Sequence, residues 1–533
     1  MKTSVIRWRT IVLVLAFVVL GMFWLLSARK KEDMHCDEYF SYMGANSEFE
    51  EEDYPFNNLK NFENGQWVTP DYFNDLYAVT SDELLDYGTA WNNQKQDVHP
   101  PLYYLLLHLI TSVRLGRFSM MAGALLNIIC MLAALIFLYK IFVILSEDQS
   151  MSAIAVLAYG TCPGVVSTIV FLRMYSLLTL FTVIGFYLFV AYENKKIKDK
   201  AFLAGVFLIN ILGMLTQYYF LFIAVGLFLT FVLRSVYLIY RRRRKVSLLS
   251  AFVVTNILSA VLYLFIWPDC IQHILFGYRG EETFQNVVET KNFINNISEM
   301  FVHLDQGLFL NSGKLIIIFT CFLILLSYLK SYWDEKDSFI AIIGLNAVFY
   351  YLIVSHISEM KTDRYLMPIY PLIAMTVLGC LIKALKRFEK KGLKAFTLLM
   401  AVFCVANMLH APNYLYSGRA EQIESLVSHE QENCMYIHKD YHWYQIMTNS
   451  RYFMNYQNTK IIYNMDDPNL ILGDERLQSL SSVCVFFDMD YDETGMKEYF
   501  GNNLWNGQYT YTYLGNSEYC NVYLFTRNGD SLE

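Results

Sequence analysis

The sequence predicts an α-helical polytopic membrane protein with about 11 transmembrane helices, followed by a small extracytoplasmic α/β domain. Apolar residues make up 55% of the 533 residues and charged residues 17%, whereas a soluble globular chain is about one quarter charged. Many apolar runs approach the roughly 20 residues that cross a bilayer. Charge is also divided between segments, as expected when those segments lie on opposite sides of a membrane.

Two acidic segments account for this division. Residues 28–98 hold 16 acidic and 5 basic side chains, and residues 411–533 hold 17 acidic and 7 basic ones. Because the net charge of the whole chain is −7, the remainder carries +14. The basic residues lie in short loops rather than in a soluble domain, which argues against nucleic acid as a partner.

The first apolar run follows Lys2, Arg7 and Arg9. We prefer an uncleaved helix to a signal peptide here, because Leu26-Ser27-Ala28 is a poor cleavage site. The predicted spans are 11–26, 117–145, 151–169, 173–192, 201–217, 220–240, 248–267, 314–329, 339–355, 365–385 and 395–409.

Lysine and arginine indicate the orientation. With the N-terminus in the cytoplasm, the inner loops are 146–150, 193–200, 241–247, 330–338 and 386–394, and three of them are rich in these residues. An odd number of spans then places both acidic segments outside. We therefore predict a multi-pass protein of the cell membrane, with a membrane domain at 1–410 and an extracytoplasmic domain at 411–533. Its outer loops include 28–98 and 268–313, and the mixed run 284–310 of the latter is compatible with an interfacial amphipathic helix.

The segment 411–533 has the composition of a soluble α/β domain. Apolar runs predict strands at 434–437, 460–463 and 483–487, and a hairpin at 509–514 and 520–525. Cys434, Cys484 and Cys520 also lie here, and one pair of them could form a disulfide that the sequence alone does not assign.

Charged and hydrogen-bonding residues gather at the predicted outer ends of the spans, which indicates an outward-facing cavity. These residues are Asp37, Glu38, His99, Tyr103, Arg173, Tyr175, Gln217, Tyr218, Lys361, Arg364 and Tyr365.

Each of these residues has a structural as well as a functional interpretation. The Asp37 carboxylate can act as a general base towards a hydroxyl, or it belongs with Glu38 to a solvated acidic pair. Arg173 lies near bilayer depth, where a guanidinium either binds phosphate or reaches towards the interface. The same alternatives apply to Lys361 and Arg364. His99-Pro100-Pro101 either begins a short interfacial helix that contributes to a site or only anchors the loop, and Gln217-Tyr218 is typical of an aromatic belt.

Together these motifs resemble the membrane-embedded glycosyltransferases of the GT-C class. The resemblance is to the branch that holds protein O-mannosyltransferases, the lipid A aminoarabinose transferase and rhizobial lipopolysaccharide sugar transferases, and it covers roughly residues 11–385. It is carried by Asp37-Glu38, His99-Pro100-Pro101-Leu102-Tyr103-Tyr104, Arg173-Met174-Tyr175, Thr216-Gln217-Tyr218-Tyr219 and Arg364-Tyr365-Leu366-Met367-Pro368-Ile369-Tyr370-Pro371.

The resemblance implies a sugar donor carried on a polyprenyl phosphate and a hydroxyl acceptor on a lipid, glycan or protein. It implies Asp37 as the general base of an inverting displacement, Glu38 as a residue that positions the substrate or the loop, and cations at Arg173 and Arg364. It implies no cofactor and no metal to hold the phosphate. Phe171-Leu172 and Gln217 depart from the pattern of many relatives, which weakens the assignment of substrate contacts there.

Two other classes of function remain open. A transporter or flippase of a lipid-linked saccharide has a similar number of spans, but such proteins usually have repeated halves and polar groups near the midplane. A membrane-anchored binding or sensory protein would use residues 411–533 as its active part. Formation of a glycosidic bond separates the first function from both alternatives.

Overall fold

The computed structural model describes residues 2–48, 63–276, 292–329, 337–427, 432–439 and 443–529. Parts of both predicted outer loops, at 49–62 and 277–291, lie outside these residues, as does most of the predicted inner loop 330–338. The predicted interfacial run 284–310 is therefore described only from residue 292, and a helix begins at Phe293.

The helices follow one another along the described chain as α1 (Lys2–Ala28), α2 (Cys36–Asn46), α3 (Pro70–Tyr77), α4 (Tyr87–Gln96), α5 (Leu102–Thr111), α6 (Met120–Ser146), α7 (Gln149–Gly160), α8 (Pro163–Val170), α9 (Tyr175–Glu193), α10 (Asp199–Met214), α11 (Phe220–Tyr240), α12 (Val246–Ile266), α13 (Phe293–Phe309), α14 (Gly313–Leu329), α15 (Asp337–Ile357), α16 (Tyr370–Lys386), α17 (Glu389–Met408), α18 (Arg419–Leu426), α19 (Trp443–Phe453), α20 (Asn469–Leu472), α21 (Glu475–Ser479) and α22 (Glu493–Phe500). Short π or 3-10 turns occur at Gln272–Phe276, Asp363–Tyr365, Met367–Ile369 and Trp505–Gly507.

The strands are β1 (Gln66–Val68), β2 (Asn433–Ile437), β3 (Asn458–Ile462), β4 (Ser482–Asp488), β5 (Tyr509–Asn516) and β6 (Cys520–Arg527). They form one sheet in the order β1-β3-β2-β4-β6-β5. The predicted strands and hairpin of the C-terminal segment are confirmed. The three cysteines Cys434, Cys484 and Cys520 are buried and free.

The chain forms two compact units. The helical unit consists of Met1–Arg29, Val98–Leu106 and Met121–Tyr414, and the sheet unit of Lys30–Asp97, Leu107–Met120 and Leu415–Glu533. The first predicted outer loop thus packs within the same unit as the C-terminal segment. The predicted domains 1–410 and 411–533 stay a prediction.

Eight helices of the described chain are long and apolar enough to cross a membrane, or up to 10 if each of two bent pairs is one span. The sequence predicted 11, and the difference is α10. Its 16 residues rise only about 24 Å, which is shorter than the roughly 30 Å of a hydrocarbon core.

The two bent pairs have identifiable causes. Helices α7 and α8 meet at 60°, where Pro163 begins α8 and has no N–H with which to continue the hydrogen bonds of α7. Helices α13 and α14 meet at 79°. There Leu310 has a left-handed φ of 51°, and the Gly313 N–H donates to the Asp305 carboxylate at 2.6 Å.

Helix α8 crosses α13 at two glycines. A Cβ atom added to Gly164 would lie 3.0 Å from the Gly307 Cα atom and 2.7 Å from the Tyr370 ring. A side chain at Gly164 would therefore force these helices apart. This contact fixes the helix that leads directly to Arg173.

The sheet combines both parts of the sheet unit. Strands β3, β2 and β4 are parallel, and β6 and β5 extend the sheet antiparallel beyond β4. On the other edge, β1 from the first predicted outer loop pairs antiparallel with β3, with Trp67 opposite Lys460. The sequence prediction missed β1 because it has only three residues.

Side chains of β1 and β3 converge on one carboxylate. Asp474 accepts hydrogen bonds from Trp67 Nε1 at 2.8 Å and from Lys460 Nζ. The Arg476 guanidinium lies 4.6 Å from the centre of the Trp67 ring. Burial opposes the ionisation of Asp474, but the hydrogen bonds from Lys460 and Trp67 outweigh it and hold the carboxyl pKa below its ordinary value.

We expect Asp474→Asn to lower the stability of the sheet unit at pH 7 by about 1–3 kcal/mol, because Lys460 loses a buried partner. A carboxyl whose folded pKa is depressed stabilises above its unfolded pKa, and this contribution disappears as the pH falls through the folded value. The difference in thermal unfolding between wild type and variant should therefore shrink below about pH 4. The exposed Asp466→Asn serves as the control, and an equal effect of both substitutions would contradict the assignment.

Candidate active site

Asp37 lies in the first turn of α2, and its position is fixed by a reciprocal cap. The Asp37 N–H donates to His35 Nδ1 at 3.2 Å, while the Glu38 carboxylate accepts from the His35 N–H at 2.6 Å. The side chain of Asp37 keeps 30% of its exposure. A helix N-terminus favours a negative charge, so the geometry suits an ionised carboxylate that remains accessible.

Glu38 differs from its neighbour in burial. Its side chain is fully buried and pairs with Lys31 Nζ at 3.0 Å, and the Lys31 ammonium lies 5.2 Å from the centre of the Tyr416 ring. Burial lowers the pKa of Lys31, an effect that the Glu38 carboxylate opposes. These contacts agree with a role for Glu38 in holding the loop.

A second buried network holds the chain that enters α2. Asp33 accepts from the Tyr39 hydroxyl at 2.6 Å and pairs with Arg419 Nε at 3.2 Å. Arg419 also donates to the Tyr452 hydroxyl at 2.9 Å and pairs with Glu518. Burial raises the pKa of Asp33, although its hydrogen bonds and Arg419 act in the opposite direction.

The other end of α2 is capped by side chains. Asn93 Nδ2 donates to the Gly44 and Ser47 carbonyls at 3.1 and 2.6 Å, and His108 Nδ1 lies 2.8 Å from the Ala45 carbonyl. The last carbonyls of a helix have no partner within it, so these donors stabilise the helix end. Asp37 therefore stands on a helix that is fixed at both ends.

In the helical unit, Arg173 contacts the His99 motif. The Arg173 side chain is buried, with Nη1 donating to the Tyr104 hydroxyl at 3.2 Å and Nη2 lying 3.1 Å from His99 Nε2. Tyr103 is also buried, and its ring lies 6.1 Å from that of Tyr104. The structure thus brings together two motifs that are about 70 residues apart in the sequence.

The backbone before Arg173 is held by an intramembrane asparagine. Asn127 on α6 is fully buried, and its Nδ2 donates to the Ile169 and Phe171 carbonyls at 3.0 and 2.9 Å. The Arg173 N–H donates to the same Phe171 carbonyl at 2.8 Å. Asn127 therefore fixes the turn from which Arg173 extends.

Tyr175, Arg364 and Tyr365 form a second contact group within the helical unit. The Arg364 guanidinium lies 5.1 Å from the centre of the Tyr365 ring. That ring meets Tyr175 edge-on at 6.4 Å and Tyr219 at 5.2 Å. Preceding Arg364, the buried Asp363 accepts from Asn413 at 2.8 Å and from Tyr414.

Gln217 and Tyr218 belong to a third group. The Tyr218 hydroxyl lies 2.7 Å from His273 Nδ1 and accepts from Trp267 Nε1 at 3.0 Å. Gln217 accepts from the Tyr218 N–H at 2.6 Å. A backbone hydrogen bond of 2.9 Å from Leu102 to the Leu215 carbonyl, two residues before Gln217, ties this turn to the start of α5.

Lys361 has a structural partner. Its Nζ donates to the Ser358 carbonyl and, at 3.4 Å, to the His356 carbonyl. These carbonyls lie at the C-terminal end of α15, where a cation satisfies unpaired acceptors. Burial lowers the pKa of Lys361, and Glu299 opposes this effect.

No protein-family model and no curated protein matches the sequence. Among solved structures, ArnT from Cupriavidus metallidurans bound to undecaprenyl phosphate has a TM-score of 0.51 at 10% identity, over 97% of this chain and 98% of that one. Its apo state has a TM-score of 0.50 at 9% identity, over 98% of both chains. The chain has the GT-C fold. The oligosaccharyltransferase AglB from Archaeoglobus fulgidus, in complex with an inhibitory peptide and a dolichol-phosphate, has a TM-score of 0.43 at 12% identity, over 99% and 75%.

The GT-C fold confirms the fold class predicted from the sequence. Several residues that support the candidate site were nevertheless missed, namely Lys31, Asp33, Asn127, Trp267, His273 and Arg419. Only Asn127 carries a sequence signal, because a polar residue within an apolar span often has a special role. The others gain their partners through contacts that are distant in the sequence.

We expect Asn127→Leu to loosen the segment 167–176, because the Ile169 and Phe171 carbonyls lose their donor at a cost of about 1–3 kcal/mol. Amide hydrogen exchange of the purified protein should accelerate in this segment. Asn346→Leu is the matched control, since Asn346 also donates through Nδ2 to Thr230 and Ile342 elsewhere in the helical unit. Unchanged exchange over 167–176 in Asn127→Leu would refute this role.

Proposed function

We propose that the chain is a glycosyltransferase that moves a sugar from a polyprenyl-phosphate donor to a hydroxyl of a lipid, envelope glycan or protein on the outer face of the membrane. The observation that carries this proposal is the buried Arg173, held by His99 and Tyr104 within a GT-C fold. Burying a guanidinium is costly, so a fold that retains one at this position has a use for its charge.

A phosphate leaving group explains the arginines. As the bond between the anomeric carbon and the phosphate oxygen breaks, its electron pair passes to the phosphate, and fixed cations stabilise the added charge. Arg173 and Arg364 are the guanidinium groups that we assign to this task, because their geometry matches phosphate oxygens. His99 and Tyr365 would bind the same donor beside the arginines that they contact. Tyr103 and Tyr175 would also bind it, because their rings lie against Tyr104 and Tyr365.

An apolar cavity in the helical unit supports a lipid-borne donor. Its volume is ≈ 320 Å³, and residues of α7, α13, α14, α16 and α17 line it, among them Tyr159, Leu308, Phe319, Leu378 and Met400. Almost all lining side chains are apolar, so the cavity suits a hydrocarbon chain better than a sugar. We assign it to part of the prenyl tail. ArnT, which has the same fold, was solved with undecaprenyl phosphate bound.

Asp37 is our candidate for the general base. Its carboxylate would accept the proton of the acceptor hydroxyl while the hydroxyl oxygen bonds to the anomeric carbon. The displacement inverts that carbon, and the polyprenyl phosphate departs with the electrons of the broken bond. Glu38 would act through the loop that it holds, and Gln217, Tyr218 and Lys361 would support the acceptor or the neighbouring backbone.

We expect Asp37→Asn to reduce transfer by at least about 100-fold, because a positioned base contributes roughly 10²–10⁴-fold. The measurement uses purified protein in lipid, a panel of radiolabelled polyprenyl-phosphate sugars, and host membrane extract as acceptor. Asp82→Asn, an exposed carboxylate of the same loop, is the matched control and should retain wild-type transfer.

The alternative outcomes separate the hypotheses. Transfer by wild type and Asp37→Asn alike keeps the enzyme class but removes Asp37 as the base. Movement of labelled lipid-linked sugar across proteoliposomes without a glycosidic bond indicates a flippase or transporter instead. The stereochemistry at the anomeric carbon tests the proposed inversion separately.

We propose that the N-terminus lies in the cytoplasm and the C-terminal segment outside. The basic loops 193–200, 241–247 and 386–394 support this orientation. In intact cells, an impermeant thiol reagent should label a cysteine introduced at exposed Asp466 but not one at Lys391. Permeabilised cells should show labelling at both positions, and the opposite pattern in intact cells would invert the topology.

A further inference from the structure

Helices α9 and α11 end in turns of the same conformation, and each turn carries a cationic residue where glycine is usual. In both turns an N–H, that of Lys196 or Arg243, donates to a carbonyl five residues earlier, at 2.8 and 2.7 Å. The preceding residues, Lys195 and Arg242, have left-handed φ values of 57° and 55°. Glycine is the common residue at this position because it has no Cβ atom, so both turns keep a cation there at a conformational cost.

A buried carboxylate holds the two turns side by side. Glu193, the last residue of α9, accepts from Arg234 Nε of α11 at 2.6 Å and from Arg244 Nη2, beyond the end of α11, at 2.5 Å. Arg244 Nη1 also donates to the Ser235 hydroxyl at 2.7 Å. The Glu193 side chain keeps only 2% of its exposure. The turn after α9 is therefore fixed against the turn after α11 within the helical unit.

Together the segments 194–200 and 241–245 form a surface, here called the basic surface, with eight exposed cations. Four are the lysines of 195–200, and the others are Arg241, Arg242, Arg243 and Lys245. Asp199 is the one acidic residue in these two segments.

Two helix N-termini add to this positive charge. Helices α10 and α12 begin in the same segments, and their N-cap residues, Lys198 and Lys245, form no side-chain cap hydrogen bond. The N-terminal end of a helix carries partial positive charge on its N–H groups. The basic surface therefore combines side-chain cations with two helix ends of the same sign.

A role in orienting the chain does not by itself explain this arrangement. Cations that orient a membrane protein act through their number and their side of the membrane, and this requires no fixed contact between one loop and another. Here the ion pairs of Glu193 hold two basic turns together although their exposed cations repel one another. A negatively charged ligand would offset that repulsion.

Exposed apolar side chains lie next to the basic surface. Tyr237 and Tyr240 near the end of α11 keep 56% and 83% of their exposure, and Val246 at the start of α12 keeps 61%. Both helices are long and apolar enough to cross a membrane. A ligand at this place therefore meets apolar side chains beside the cations. An anionic phospholipid has parts that match both, whereas a nucleic acid or a soluble anion has no acyl chain.

We propose that the basic surface binds the phosphate headgroup of an anionic phospholipid of the surrounding membrane, with the acyl chains against α11 and α12. Guanidinium groups match the geometry of phosphate oxygens, and clusters of about 4–8 cations next to a membrane helix are typical of anionic-lipid binding. With the proposed orientation of the chain, this lipid belongs to the cytoplasmic leaflet. The binding does not depend on the proposed sugar transfer.

The test measures which lipids the full chain retains. The protein is reconstituted in nanodiscs that contain phosphatidylcholine and phosphatidylglycerol in equal parts, and native mass spectrometry counts the lipids that stay bound. Wild type should prefer phosphatidylglycerol at least about fivefold, since a single basic residue near an anionic surface contributes roughly that factor. High salt during reconstitution should weaken the preference by screening. Equal retention of both lipids by wild type would overturn the site.

A matched pair of triple variants identifies the surface. Replacement of Arg241, Arg242 and Arg243 by Gln should abolish most of the preference. The control replaces three exposed lysines of another basic loop, Lys390, Lys391 and Lys394, by Gln, and should keep the wild-type preference. Labelling of a cysteine introduced at Asp466 checks that both variants keep the wild-type orientation. Equal losses in the two variants would indicate a general effect of charge and would overturn the site.

Glu193→Gln separates a preformed site from net charge. The substitution makes the chain more positive, so unspecific attraction would strengthen the retention of phosphatidylglycerol. Because the two turns lose the carboxylate that joins them, we expect retention to fall severalfold instead. Ser235→Ala removes the other partner of Arg244 without a change of charge and should cause a smaller decrease, with thermal unfolding checking that each variant is folded. Unchanged or stronger retention in the folded variants would contradict the proposal.

A soluble anion is the remaining alternative occupant. Inorganic phosphate is therefore added at millimolar concentration before the lipids are counted. It should leave the retention of phosphatidylglycerol unchanged, because it cannot replace the acyl-chain contacts. Displacement of the lipid by phosphate would assign the basic surface to a free anion and overturn the lipid as its ligand.

Discussion

Water is excluded from the buried turn between α8 and α9, and this determines how the chain can present Arg173 there. Every buried backbone carbonyl needs a donor, and α8, which ends at Val170, leaves its last carbonyls without a partner within the helix. Asn127 supplies donors to two of them. The Phe171 carbonyl, one of these two, also accepts from the Arg173 N–H. The hydrogen bonds that stabilise the end of α8 therefore also fix the backbone of Arg173.

The backbone groups at the two ends of α2, in the sheet unit, also need hydrogen-bond partners. Its first N–H groups are satisfied by His35 and its last carbonyls by Asn93 and His108. Ion pairs of Lys31 with Glu38 and of Asp33 with Arg419 then fix the chain that enters the helix. A short helix is marginal alone, and here its ends are held by side chains from four other segments. Asp37 owes its defined position to these contacts rather than to intrinsic helix propensity.

The sequence predicted features that depend on local patterns. Apolar runs predicted the membrane helices, except for α10, whose 16 residues are too few to cross the hydrocarbon core. Apolar runs at 434–437 and 483–487 predicted two strands, which pair in parallel in the sheet. Strand β1 was missed, since three residues near Trp67 carry no periodicity and form a strand only because β3 offers a free edge.

The sequence likewise predicted some contacts of the candidate site and not others. His99 and Arg173 were expected to lie at similar depth because both follow membrane borders, and the structure brings their side chains to 3.1 Å. The partners of Asp33 could not be predicted, because Arg419 is hundreds of residues away. Lys361 was expected to be either an interfacial anchor or a phosphate ligand, and its role stays a prediction. Its contacts with the Ser358 and His356 carbonyls could not be predicted, because they depend on where α15 ends, and helix ends are the least predictable feature of a sequence.

Asp37 and Glu38 are adjacent, but their surroundings differ, and this difference decides which carboxylate can act as the base. Consecutive residues of a helix do not face the same way, and α2 turns Glu38 into the protein while Asp37 stays partly exposed. For Glu38 to accept a proton from a substrate, it would have to give up its ion pair with Lys31, and breaking a buried ion pair costs about 3–5 kcal/mol. Asp37 keeps 30% of its side-chain exposure at the start of the helix, so it can meet a hydroxyl without disrupting that buried ion pair. The difference in exposure between the two side chains therefore favours Asp37 over Glu38 as the base that a hydroxyl can reach.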